Sequence, residues 1–141
     1  MTKLLSSYQG LVNETVISQL RQLGSRLAGR RVVHVNSTRE GGGVAEILNW
    51  MILLMRDVGL DAHWEVINGN SDFFSVTKKI HNGLQGFPVN ISKREWQIYQ
   101  DVNEENAVRL RPILEEADLV VIHDPQPAGL LGLCPDRRGK W

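Results

Sequence analysis

The chain has 141 residues, 42% of them hydrophobic and 23% charged, enough to bury one real core and to make about one domain. Its sixteen basic and sixteen acidic side chains cancel, which excludes the broad electropositive footprint of a nucleic-acid binder. The longest strongly apolar run, residues 51–55, is far short of the ~20 residues of a membrane span, so no membrane partner is expected.

Residues 1–10 carry little pattern and are expected to form an irregular arm. They lack the ~7 or more apolar residues of a secretory h-region. A lone Cys134 has no partner for an internal disulfide, so a reducing cytoplasm is the expected compartment. The N-x-[ST] matches at Asn13, Asn36 and Asn90 are then chance. From Val12, apolar residues at Val16, Ile17, Leu20, Leu23 and Leu27 predict an amphipathic packing helix that ends at Gly29, with Gly24 weakening its continuity.

Residues 30–35 read as a first strand and residues 44–58 as a helix closed by Gly59. Between them lies Ser37-Thr38-Arg39-Glu40-Gly41-Gly42-Gly43. A strand that turns through three glycines into a helix points backbone N–H groups and the positive end of a helix dipole at one spot, which suits a phosphate or another anion. The spacing matches neither the dinucleotide fingerprint nor the P-loop. Glycines that only let the helix pack close to the sheet would look the same.

Residues 62–67 predict a second strand and Asn68-Gly69-Asn70 a turn. Ser71 or Asp72 can cap a helix with Phe73, Val76, Ile80 and Leu84 on its apolar face, ending near Gly86. Ser92-Lys93-Arg94-Glu95 matches a capping box. The helix it opens carries Trp96, Tyr99, Val102 and Ala107 on one side, and Pro112 is expected to limit its run. The apolar residues 119–122 read as a strand covered on both faces, followed by His123-Asp124-Pro125-Gln126-Pro127. Strands alternating with helices predict an α/β, Rossmann-like open, mainly parallel sheet with flanking helices.

Such sheets bind ligands outside the carboxyl ends of their strands. A carboxylate beside an imidazole there, Asp124 beside His123, can position a hydroxyl-rich substrate; a turn that merely leads into Pro125 is the alternative. His34 and His63 alternate with apolar neighbours and read as satisfied core or surface groups. His81, next to Asn82, can border the cleft. No His/Cys/Asp spacing fits a metal site, no cofactor is implied, and the four tryptophans read mainly as packing residues.

Five collinear segments carry a more specific signal: 34–38 (HVNST), 41–48 (GGGVAEIL), 73–79 (FFSVTKK), 81–86 (HNGLQG) and 121–127 (VIHDPQP). Together they resemble the N-terminal half of the trehalose-forming GT-B glycosyltransferases, a group that includes the glycosyltransferring trehalose synthases and the retaining trehalose phosphorylases. The resemblance implies that Gly41, Gly42 and Gly43 face the donor diphosphate or the phosphate of phosphorolysis. It implies that His123, Asp124 and Gln126 lie at the sugar site, with His81 and Asn82 lining the acceptor pocket. The partners it implies are a small-molecule sugar and a nucleotide-sugar or phosphate.

Members of this group continue past residue 141 into a segment with a catalytic histidine and then a nucleotide-sugar-binding domain. The resemblance therefore implies a partial GT-B N-terminal domain that does not transfer glucose alone, with self-association through an exposed sheet edge expected. A sugar- or phosphate-binding module without chemistry, or an interaction protein, fits the same sequence.

Overall fold

Two valine-rich runs and the alternating run Asp61–Val66 meet as neighbouring parallel strands, β1 (Arg31–Asn36), β2 (Asp61–Val66) and β3 (Leu119–Ile122), in the order β2-β1-β3. The computed structural model describes residues 4–141. β1 is central, and Val32 to Asn36 are all buried, as a parallel strand covered on both faces must be. Register pairs His34 with Trp64 on one side and with Val121 on the other.

The chain leaves β1 toward β2 and later returns to the opposite side of β1 for β3. α2 (Gly43–Asp57) joins β1 to β2 and packs on one face, burying Ala45, Leu48 and Ile52 against Ala62 and Trp64. α3 (Ser71–Leu84) and α4 (Lys93–Glu116) pack on the other face, where Phe73, Val76, Tyr99, Leu110 and Leu114 close over Val33, Val35 and Val120. Reversal of direction between β1 and β3 makes a topological switch point, where the loops after the two strands diverge and leave a crevice. The expected Rossmann-like α/β fold is therefore present, with strand and helix bounds within a residue or two of those read from the sequence. Among the described residues no helix is long and apolar enough to cross a membrane.

Several local expectations are corrected. The irregular arm begins outside the described residues, and within them Leu5–Tyr8 forms a 3-10 turn, whose buried Leu5 donates its N–H to Asp57 Oδ2 at 2.8 Å. α1 (Glu14–Arg26) runs unbroken through Gly24, and a Cβ there would lie 2.3 Å from the Val58 carbonyl oxygen, so glycine is what admits the close approach to the end of α2. The packing role assigned to α1 is only partly met: Ile17 and Gly24 are buried, but Val16, Leu20, Leu23 and Leu27 are exposed.

α3 is capped by Asn70, not Ser71 or Asp72. Asn70 keeps an extended backbone while its side-chain oxygen accepts from Phe73 N–H at 2.9 Å, and the two candidate caps already lie inside the helix. α4 opens on the expected capping box of Ser92 and Glu95 and continues through Pro112 to Glu116. Val108, whose carbonyl the proline leaves without its helical donor, is exposed, so water can take that bond. A four-residue helix, α5 (Leu130–Leu133), was not anticipated.

The sheet's edges differ. On β2 the outward carbonyls of Ala62, Trp64 and Val66 accept from Arg56, Arg39 and Arg109 at 2.7, 2.7 and 2.6 Å, which blunts that edge against strand pairing. On β3 the Val120 N–H donates to the Lys140 carbonyl at 2.8 Å. The open edge expected of the sheet is thereby reduced to β3 beyond Val120.

Candidate functional site

The loop after β1 is built from its polar last residue. Asn36, buried at the strand end, accepts from Trp64 Nε1 and donates to the Thr38 carbonyl, both at 2.8 Å. Arg39 lies 4.5 Å from the centre of the Trp64 ring and donates to the Trp64 carbonyl. These bonds hold the segment that delivers Gly41 and Gly42 at φ of 75° and 82°, a region that favours glycine. A Cβ added at Gly41, Gly42 or Gly43 would meet nothing within 4 Å, so close packing against the sheet is not why they are there. Gly42 is the N-cap of α2 and no side chain caps that helix, which leaves its first N–H groups facing open space.

The loop after β3 is bolted to α4. Tyr99 Oη donates to the Pro125 carbonyl and accepts from Gly129 N–H, both at 2.9 Å. Asn103 Nδ2 donates to the Gln126 carbonyl at 3.2 Å. Asp124 is held at φ 67°, the one non-glycine among the described residues with positive φ. Aspartate tolerates this conformation, and residues held there concentrate at functional sites.

Asp124, Gln126 and His81 line one cavity of about 230 Å³ together with Phe74, Thr77 and Lys78. Gln126 Oε1 is buried without a hydrogen-bond donor, an unsatisfied acceptor on a residue that lines the cavity. A neighbouring groove of about 570 Å³ shares His81 and Asp124 and is floored by Trp96 and Tyr99, whose rings lie 5.3 Å apart at 21°. An aromatic face beside convergent polar groups is the composition of a sugar site.

Of the residues singled out in the sequence, His81, Asp124 and Gln126 are thus brought together. Asn82 lines neither cavity. His123 turns to the opposite face of the sheet, where its Nε2 lies 2.9 Å from His34 Nδ1. Gly41, Gly42 and Gly43 stand at the end of β1 and line neither cavity. The candidate residues at the strand ends therefore fall into two groups, one on each side of the sheet.

Two residues were missed. Trp96, taken as packing, is 47% exposed. His34 is buried at 3% exposure, but its partner is a candidate site residue. Burial and the adjacent His123 push its pKa from 6.5 down to about 4. Burial also lowers His123, partly opposed by Asp124. His63 instead pairs with Asp61 at 2.7 Å near the edge of the sheet. Among the described residues no group of three or more His, Cys, Asp or Glu is placed to hold a metal.

Residues 34–141 match the family model described as the N-terminal domain of trehalose synthase. The chain belongs to that family. Trehalose synthases of Rubrobacter xylanophilus and Pyrococcus horikoshii are each 42% identical to it, over 89% and 97% of this chain. The trehalose phosphorylase of Pleurotus pulmonarius is 27% identical over 92% of this chain. The chain spans about a third of the synthases' length, 30% and 32%, and 19% of the phosphorylase's. The match to the trehalose synthase domain starts at His34 and so takes in both loops that flank the switch point.

Proposed function

We propose that this domain is the acceptor side of a retaining glucosyltransferase that makes trehalose from nucleotide-glucose and glucose. The observation that carries this reading is the convergence of His81, Asp124 and Gln126 on one cavity, with Gln126 Oε1 buried and lacking a donor. Asp124 and Gln126 accept from glucose hydroxyls, His81 accepts or donates, and Trp96 offers a flat face to the ring. Across the sheet, the uncapped start of α2 at Gly41 to Gly43 binds phosphate oxygens of the donor through backbone N–H groups. The domain's contribution to rate is positioning the acceptor and stabilising phosphate charge. Identity of 42% to synthases against 27% to a phosphorylase favours the synthase over the phosphorolytic reaction.

The chain spans about a third of the synthases' length, and we place the second wall of the donor site in the remainder. We therefore expect the 141-residue chain to bind glucose and to show no trehalose formation from nucleotide-glucose and glucose. Isothermal calorimetry with glucose, trehalose, phosphate and nucleotide-glucose, alongside a product assay, tests this. Glucose binding without turnover supports the proposal. Turnover by this chain alone contradicts the division of labour, and absence of glucose binding contradicts the acceptor role.

A further inference from the structure

The contact between His34 and His123 ties the two groups together. The rings are within 17° of coplanar and their centroids are 5.2 Å apart, too far for face-to-face stacking. With Nδ1 of His34 2.9 Å from Nε2 of His123, the rings meet edge to edge through one N–H···N bond. One nitrogen must carry the hydrogen and the other must be bare.

His34 decides which. Its other nitrogen, Nε2, is buried without a partner. If His34 accepted at Nδ1, Nε2 would hold a hydrogen with nowhere to donate, and a buried orphan N–H is the rarer outcome in folded proteins. If His34 donates from Nδ1, Nε2 is only a bare lone pair. Burial among β1, β2 and α2 keeps His34 neutral at physiological pH, so a doubly protonated ring does not evade the choice.

We propose that His34 is a positioning residue whose Nδ1–H donates to His123 Nε2 and fixes His123 as its Nδ1–H tautomer, so that the end of β3 offers an N–H donor to an acceptor oxygen of the ligand. This extends the proposed function above to the seam between its two walls and rests on that reading for the ligand. The nitrogen concerned is placed for that role: His123 is half-exposed, and its Nδ1, unlike Nε2 of His34, is not a buried orphan. His123 follows β3, next to β1, and its backbone N–H donates to the Val35 carbonyl, which places it at the strand ends where the two loops begin. The oxygen belongs to a sugar hydroxyl or to a phosphate, chemistries that titrations with glucose and with inorganic phosphate separate.

Long-range ¹H–¹⁵N correlation spectra of the labelled 141-residue chain at neutral pH read the tautomer directly. His123 is expected with a protonated Nδ1 and a bare Nε2, and His34 likewise. A His123 protonated at Nε2, or averaging between tautomers, overturns the proposal. His34→Asn retains an amide donor near the original Nδ1 and is expected to keep the His123 tautomer. His34→Phe removes the donor, frees His123 to average, and weakens glucose or phosphate binding about tenfold, as loss of one oriented hydrogen bond does. An unchanged His123 spectrum in His34→Phe overturns the proposal. If that variant does not fold, the native and His34→Asn spectra still decide it. A locked tautomer in a chain that binds neither glucose nor phosphate upholds the role of His34 and sinks the acceptor-site reading instead.

Discussion

The two walls of the strand-end crevice are made of different material. On the α3 side, the candidate groups are side chains, His81, Asp124 and Gln126, gathered from a helix and a loop into one cavity. On the α2 side there is only backbone: Gly41 and Gly42 at positive φ and a helix start that no side chain caps. Side chains of mixed donor and acceptor character suit the directional hydroxyls of a sugar. A bare helix N-terminus suits an anion of any shape. The first wall gathers its side chains around an open groove; the second presents backbone to open space. That contrast is why the domain is expected to hold an acceptor sugar alone while a donor needs more of the enzyme.

The largest expected effect concerns the seam between the walls. Because burial holds folded His34 below its ordinary pKa of 6.5, at about 4, the unfolded chain binds more protons in that interval. The contribution is intact above about pH 6.5 and is lost as pH falls toward 4, amounting to about 3 kcal/mol once His34 is charged. Denaturant titrations of the native chain and His34→Asn between these pH values check it, the variant showing the shallower slope.

Asp124 separates recognition from folding on the α3 side. Asp124→Ala is expected to weaken glucose binding roughly 10- to 100-fold, the loss of hydrogen bonds to a charged acceptor of about 1.5–3 kcal/mol. Asp124→Gly removes the same carboxylate but relieves the φ of 67°, so it should lose binding equally and match or exceed native stability by about 1 kcal/mol. Calorimetry paired with thermal melts reads both.

On the α2 side, Gly42→Ala is expected to cost about 1–3 kcal/mol of stability because of φ 82° and ψ 154° alone, since the methyl meets nothing. The smallest effect is at Gly43, where φ is ordinary and space is open. Gly43→Ala should be stability-neutral within about 0.5 kcal/mol. A large loss at Gly43 would restore close packing as the reason for the triplet.

Legibility in the sequence followed how local each cause is. The capping box at Ser92 and Glu95 is decided within four residues and was read in full. The passage from β1 through the glycines to α2 was likewise visible, because the period of apolar residues changes there. The Asn70 cap was missed by one residue, since Asn, Ser and Asp all stand ready to cap at that turn. Pro112 was given too much weight, because whether water reaches the freed carbonyl depends on tertiary exposure. The pairing of His34 with His123 spans 89 positions and depends on β1 and β3 being neighbours in a particular register. Nothing within either strand announces it. The same register sends His123 to one face of the sheet, while its neighbour Asp124 lines the cavity with His81 on the other, splitting a pair that the sequence presents as a unit.

The most direct test of the acceptor cavity is a glucose titration of the ¹⁵N-labelled chain followed by resonance. Shifts at His81, Asp124 and Gln126 should saturate together with one dissociation constant and vanish in Asp124→Ala, while Gly43→Ala leaves them unchanged. Saturating shifts that spare these three residues, or no shifts at all, would contradict the account.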